Sequence, residues 1–88
     1  NRQFYSVLYK ALVEYLSGKL KIDKATFTNE TALNLLKNKI DQSQLDILKE
    51  IFDQCQLAGF GGMNQADAKD LFLKAKNWIK TNDKKLNV

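Results

Sequence analysis

The stretch LDILKEIFDQCQLAGFGG, residues 45–62, decides the fold that we predict for this chain. Apolar residues recur every three or four positions in its first part, which is the pattern of an amphipathic helix with one buried face. Because glycine adopts positive φ without a steric penalty, we expect a sharp turn at Gly59, Gly61 and Gly62. The predicted buried face, with Ile47 beside it, consists of Leu45, Leu48, Ile51 or Phe52, and Cys55.

Two polar residues before this stretch indicate where the central helix begins. Asp41 followed by Gln44 three positions later is a capping-box-like pair. In such a pair the carboxylate accepts hydrogen bonds from backbone amides, and the glutamine reaches back to the cap residue. The central helix is therefore expected to start at about Gln42.

A first helix is predicted from Phe4 to about Leu20, and it is apolar over an unusually wide arc. A partly aromatic stripe of Tyr5, Tyr9 and Val13 lies about 100° around the helix from the main one. Two interpretations remain open, namely packing on both sides in a small bundle or an exposed surface that contacts a partner. Gly18 and the lysines after it are expected to end or loosen the helix. The main stripe consists of Phe4, Leu8, Leu12, Tyr15 and Leu16.

Two more helices complete the predicted fold. A short second helix runs from about Asn29 to Lys39 with Thr28 as its N-cap and Leu33, Leu36 and Ile40 as its buried edge. The last helix follows a cap at Asn64, and the chain is expected to fray from Leu86. We therefore predict an all-α, small four-helix domain with short connections and a glycine-rich corner before the last helix. The apolar face of the last helix consists of Ala66, Ala68, Leu71, Phe72, Ala75, Trp78 and Ile79.

Composition disfavours catalysis and specific nucleic-acid recognition. The formal charge is +4, but Arg2 is the one arginine among 14 basic residues, and bidentate recognition of guanine or phosphate is mainly the work of arginine. The chain has no histidine, the commonest general base and a frequent zinc ligand. Its single cysteine, Cys55, lies on an apolar stripe, so we expect it to have a structural role. We expect no enzyme activity, no catalytic residues, no cofactor and no metal.

Two sets of charged residues are candidates for contact with a partner. Asp46, Glu50 and Asp53 share one stripe of the central helix, which is either a surface for a basic partner or a solvated face near the chain's own lysines. One helix cannot surround a calcium ion with the six or more oxygens that it requires. The lysines of the last helix are candidates for contact with phosphates or an anionic membrane, although three aspartates are interspersed among them. These lysines are Lys69, Lys76, Lys80 and Lys84.

Several segments resemble the C-terminal helical domain of the BatD membrane proteins, a family encoded in bacterial aerotolerance operons. The segments are FYSVLYKALVEYLSGKLKI at the start, the ID pair before the central helix, and DQCQLAGF at its end. Gly61 and Gly62 depart from the family pattern, in which an alanine-proline pair often follows the aromatic residue. The matching positions are Phe4, Tyr5, Leu8, Ala11, Leu12, Tyr15, Leu16, Lys19, Leu20, Ile22, Thr28, Ile40, Asp41, Asp53, Cys55, Gln56, Ala58 and Phe60.

The resemblance implies a non-enzymatic tail that follows a transmembrane helix on the cytoplasmic side of the bacterial inner membrane. Five basic residues against two acidic ones in residues 1–24 would fit the positive-inside rule there. Residues 1–88 would then be a single helical domain of a longer, membrane-anchored protein. The family is genetically associated with von Willebrand factor A domain proteins and a MoxR-type AAA+ ATPase.

We therefore expect a protein-protein interaction module that docks such operon partners. The alternative is non-specific binding of nucleic acid or an anionic membrane surface by the lysines. The candidate contact residues are Tyr5, Tyr9, Val13, Asp46, Glu50 and Asp53.

Overall fold

A computed structural model describes residues 2–57 and 65–86, and for residues 2, 57 and 65–67 it describes the backbone alone. The described ranges contain four α-helices, a short 3-10 turn and no strand, which confirms the predicted all-α class. The predicted glycine corner and the Asn64 cap lie outside these ranges, as does the side chain of Ala66. The helices are α1 (Arg2–Leu20), α2 (Asn29–Leu36), α3 (Gln42–Leu57) and α4 (Gln65–Leu86), with the 3-10 turn at Lys24–Thr26.

Helices α1 and α3 each pack against all of the other helices, and α3 lies at the centre of the fold because its contacts are the more extensive. Its apolar stripe is buried along its length, and both Ile51 and Phe52 are buried, although the sequence left a choice between them. Ile47 packs at the edge of the same core. The stretch from which we predict the fold thus supplies the surface against which the other helices pack. The buried residues of α3 are Leu45, Leu48, Ile51, Phe52 and Cys55.

Helix α1 ends at Leu20, in agreement with the predicted end at about Leu20, and Gly18 does not end it. The helix continues through Gly18 to Leu20, and Lys21 then takes a left-handed conformation with φ of 58°. The Ile22 amide donates to the Ser17 carbonyl at 3.0 Å, which is the long hydrogen bond of a Schellman cap. A lysine therefore occupies the position that glycine usually fills.

We expect Lys21→Gly to raise the free energy of unfolding by about 0.5–1 kcal/mol. A left-handed non-glycine residue costs about 1–2 kcal/mol, and the greater freedom of glycine in the unfolded chain removes part of that gain. Urea denaturation followed by circular dichroism measures the difference. Lys37→Gly is the matched control, because Lys37 is right-handed with φ of −49° and its substitution should destabilise. A Lys21→Gly protein no more stable than the parent would contradict the expectation.

Helix α2 begins as predicted and ends earlier. The Thr28 hydroxyl accepts a hydrogen bond from the Thr31 amide at 3.0 Å, so Thr28 is the N-cap. The helix ends at Leu36 rather than Lys39, because the amides of Lys39 and Ile40 both turn back to the Leu36 carbonyl. The buried residues of this segment are Ala32, Leu36 and Ile40, and Leu33 packs beside them.

Helix α3 begins at Gln42 as predicted, but Gln44 does not complete the predicted capping box. Its side-chain oxygen accepts a hydrogen bond from the Asn82 amide at 3.0 Å, and its backbone carbonyl accepts one from Trp78 Nε1 at 2.9 Å. Asn82 is fully buried, so its polar hydrogens need partners inside the protein. The start of α3 is therefore attached to α4.

Helix α4 presents most of its predicted face to the core. Leu71, Ala75 and Trp78 are buried, whereas Phe72 lies at the edge of the stripe and is 43% exposed, so its predicted burial is wrong. Leu86 is helical and buried, so the chain does not fray there, and residues 87–88 lie outside the described ranges. None of the helices in the described ranges is long and apolar enough to cross a membrane.

Candidate functional site

Tyr5 belongs to the core and not to a contact surface. It is only 2% exposed, and its ring lies edge-on to Phe4 with the centroids 5.3 Å apart. Tyr5 shares the inner side of α1 with Leu12 and Leu16, because residues seven and eleven positions apart lie on one helical face. The prediction that Tyr5 contacts a partner is therefore wrong. The wide apolar arc of α1 reflects packing on more than one side at this position.

Tyr9 and Val13 are half-buried on the side of α1 that faces α2 and α3. The Tyr9 hydroxyl donates to Asn29 Oδ1 at 2.5 Å, and its ring lies edge-on to Phe52 at 5.8 Å. Burial raises the pKa of Tyr9, and the nearby Cys55 adds to the increase. Tyr9 thus connects the first three helices, and little of its ring remains for a partner.

The acidic residues of α3 lie on the surface, as the sequence suggested. Asp46 accepts a hydrogen bond from Gln42 at 2.9 Å, and Glu50 forms an ion pair with Lys74 of α4 at 2.9 Å. Asp53 is exposed as well. Within the described residues no three ligand-type side chains are arranged to hold a metal ion. One of the three carboxylates, Glu50, is thus paired with the chain's own lysine, which favours the interpretation as a solvated face.

An apolar groove lies between α1 and α4 and is open to solvent. Its volume is about 150 Å³, and every lining side chain except Lys76 is a hydrocarbon. Phe72 stands at its edge, with its ring 6.4 Å from that of Phe4. Val7 follows Phe4 along the outer edge of α1 and is 60% exposed. The residues that line this α1–α4 groove are Leu8, Ala11, Leu12, Phe72, Ala75, Lys76 and Ile79.

The signal for this groove in the sequence is weak. Val7 and Ala11 stand beside the main stripe of α1, and Phe72 stands at the margin of the α4 face. A wide arc shows that one helix has more apolar surface than a single neighbour covers. It does not show which two helices leave their margins side by side. These residues lie together because α1 packs next to α4.

A polar cluster joins α1 and α4 beyond one end of the groove. The Tyr15 hydroxyl donates to the Asp83 carboxylate, and Lys19 forms an ion pair with the same carboxylate at 3.3 Å. The hydrogen bond from Tyr15 lowers the pKa of Asp83, and Lys19 lowers it further. Burial raises the pKa of Tyr15, and its bond to Asp83 adds to that effect. This cluster fixes the two helices whose edges form the groove.

A second depression, of about 190 Å³, lies between α3 and α4. It is lined by polar and apolar side chains, and its floor contains Trp78 and Gln44, which are hydrogen-bonded to each other. Lys74, at its edge, is already paired with Glu50. The depression is therefore the boundary between two packed helices, α3 and α4.

Cys55 is buried on α3, and burial raises the pKa of its thiol to about 11. At pH 8 we expect native protein to react with iodoacetamide at least about 100-fold more slowly than a free thiol, whose pKa is about 8.5. The folded state keeps this proton longer than the unfolded chain, so stability should fall as the pH rises above about 8.5 towards 11. Mass spectrometry of alkylated protein measures the rate. Protein unfolded in guanidinium is the control, and equal rates in both states would contradict the expectation.

Comparison of the chain with protein-family models, curated proteins and solved structures finds no match. The resemblance to the BatD tail therefore rests on the residues quoted above.

Proposed function

We propose that this domain is a non-enzymatic interaction module that docks a partner protein in the α1–α4 groove. The observation that supports the proposal is the exposed apolar edge of the groove at Phe72, which is 43% exposed. Large apolar side chains that lie together at a surface mark sites of protein-protein or ligand contact. Removing Phe72 from water would supply part of the hydrophobic binding energy.

The lining of the groove favours a protein over a small molecule. Small-molecule sites combine an apolar pocket with a few convergent polar groups that fix the ligand's orientation. Here Lys76 is the one polar lining residue, and it stands at the edge over the Phe72 ring. The groove is shallow and follows two helices, so a helix or an extended segment of another protein fits it better than a compact ligand.

The resemblance to BatD supports a more specific form of the proposal. In that form, the domain is the cytoplasmic tail of a membrane-anchored bacterial protein, and its partners are von Willebrand factor A domain proteins or a MoxR-type ATPase. A tail of this kind needs no chemistry of its own, because its role is to hold partners near the membrane.

A pull-down from cells that make the protein tests this proposal, with the gene-neighbour von Willebrand factor A domain protein and MoxR-type ATPase as the proteins to be measured. Phe72→Ser should reduce recovery of the bound partner about tenfold, since it removes an exposed anchor while leaving the core intact. Leu35→Ser is the matched control, because Leu35 is 44% exposed but lies on α2, outside the groove.

Recovery of neither candidate would contradict the proposal, as would equal recovery with Phe72→Ser and with the parent. Binding of duplex DNA or phosphatidylserine vesicles that falls steeply with salt and is indifferent to Phe72→Ser would instead favour the lysine-mediated alternative.

A further inference from the structure

We propose that the occupant of the α1–α4 groove is an acidic amphipathic helix. This inference rests on the proposed docking function and adds the chemical class of the partner. It follows from the spacing of the apolar residues along the groove and from the charges along its rim.

Both walls of the groove carry apolar side chains at helical spacing. On α4, Phe72 and Ile79 are seven positions apart, with Lys76 between them. On α1, Leu8, Ala11 and Leu12 line the groove at i, i+3 and i+4. A helix that lies in a groove of this kind uses anchors at i, i+3 or i+4, and i+7. The two walls therefore repeat with the period that a docked helix would present.

The side chains on the α1 side of the groove are small enough for another helix to approach. Ala11 has only a methyl group, and Gly18 continues the same edge towards the C-terminal end of α1. A Cβ atom added at Gly18 would meet nothing within 4 Å, so open space lies above this part of the helix. A partner helix could therefore rest on the α1 backbone while its anchors contact Phe72 and Ile79.

The rim of the groove is basic. Lys69, Lys76 and Lys80 recur at i, i+7 and i+11 along the outer edge of α4, and all three are exposed. Lys76 Nζ lies 5.7 Å from the centre of the Phe72 ring, so a positive charge stands directly at the apolar edge. Among the side chains that the structure describes, no carboxylate forms an ion pair with Lys76 or Lys80.

Two acidic residues near the groove each have a basic partner within the domain. Glu14, on the outer side of α1, pairs with Lys24 at 3.5 Å. Asp83, at the end of the groove, is held by Tyr15 and Lys19. Positive charge therefore predominates where a partner would enter. Complementary potentials accelerate encounter and disfavour partners of the same sign, so a partner with carboxylates beside its apolar face is selected.

A second copy of this chain fits the groove poorly. Its acidic surface is the stripe of Asp46, Glu50 and Asp53 on α3, and the exposed large apolar residues of the described ranges lie on α1, α2 and α4. That stripe thus offers charge without anchors. A flat anionic membrane would satisfy the lysines and leave the concave groove unfilled.

Selection from a random library of displayed peptides with helical propensity tests the inference without a known partner. Peptides enriched on the domain should be acidic and should carry apolar residues at i, i+3 or i+4, and i+7. Their affinity should fall about tenfold in the double variant Lys76→Glu, Lys80→Glu, and should fall with rising salt. The double variant Lys37→Glu, Lys49→Glu makes the same change in net charge away from the groove and should leave affinity within about twofold.

The outcomes separate this inference from the proposed function. Enriched peptides that are neutral or basic, yet lose affinity in Phe72→Ser, would overturn the acidic partner and leave the docking groove in place. Peptides that bind Phe72→Ser and the parent with equal affinity would overturn both the acidic partner and the docking groove. Equal losses in the two lysine variants would attribute binding to net charge and would also overturn the inference. If no helical peptide is enriched, the inference is also overturned. This holds as well if phosphatidylserine vesicles bind in a salt-sensitive manner while no peptide is enriched.

Discussion

Replacing Trp78 with alanine is expected to lower the free energy of unfolding by about 3–5 kcal/mol, the usual cost of truncating a buried aromatic side chain. Trp78 is buried in the core from α4, and its Nε1 donates to the Gln44 carbonyl at the start of α3 at 2.9 Å. The substitution removes both the packing and the polar link between these helices. Domains of this size have total stabilities of about 5–10 kcal/mol, so the variant should be close to unfolding at 37 °C. Guanidinium denaturation, followed by circular dichroism, measures the loss.

Trp78→Phe separates the hydrogen bond from the packing. It keeps an aromatic ring in the core and removes the Nε1 donor, so we expect a loss of about 1–2 kcal/mol. The Gln44 side chain keeps its bond from Asn82 in this variant, because that bond does not involve Trp78. A loss below about 1 kcal/mol for Trp78→Ala would show that α4 is not packed on α3 as described.

Replacing Phe52 with alanine should cost a similar amount, about 3–5 kcal/mol. Phe52 is buried on α3, and its ring lies edge-on to Tyr9 of α1 at 5.8 Å and to Phe27 of the connecting loop at 6.4 Å. Edge-to-face aromatic pairs contribute about 0.5–1.5 kcal/mol beyond the burial of area. The substitution would therefore loosen α1 and the loop as well as leave a cavity.

Phe72→Ala is the matched control for Phe52→Ala. It makes the same chemical change at a ring that is 43% exposed, so its cost should stay below about 1.5 kcal/mol. The two variants should also separate stability from function. Phe52→Ala lowers the thermal midpoint, whereas Phe72→Ala leaves the midpoint nearly unchanged and weakens docking. Equal destabilisation by both would contradict the assignment of Phe72 to an exposed edge.

Much of the fold could be predicted from the sequence because local patterns carry it. The apolar period of residues 45–55 identified a helix and its buried face, and Thr28 identified a helix start through its hydroxyl. Each of these signals depends on residues within a few positions of one another. The predictions were wrong where a residue distant in sequence determines the contact. At Gln44, for example, the side-chain oxygen accepts a hydrogen bond from Asn82 of α4, and the side chain does not cap its own helix.

The candidate site was much less predictable. Burial at Tyr5 and exposure at Phe72 depend on which helices are neighbours, and a helical period does not specify neighbours. The same holds for Lys21, because a left-handed lysine has no local signature in the sequence. The acidic stripe of α3 was read correctly as a surface feature, and its pairing with Lys74 required the structure.

The walls of the groove come from α1 and α4, the earliest and latest helices of the described chain. During synthesis on a ribosome, a nascent chain exposes α1 long before α4 has been made. The groove does not exist until Phe72, Lys76 and Ile79 have left the exit tunnel and packed beside α1. If the proposed docking takes place in this groove, the partner would therefore bind completed domains and ignore unfinished ones.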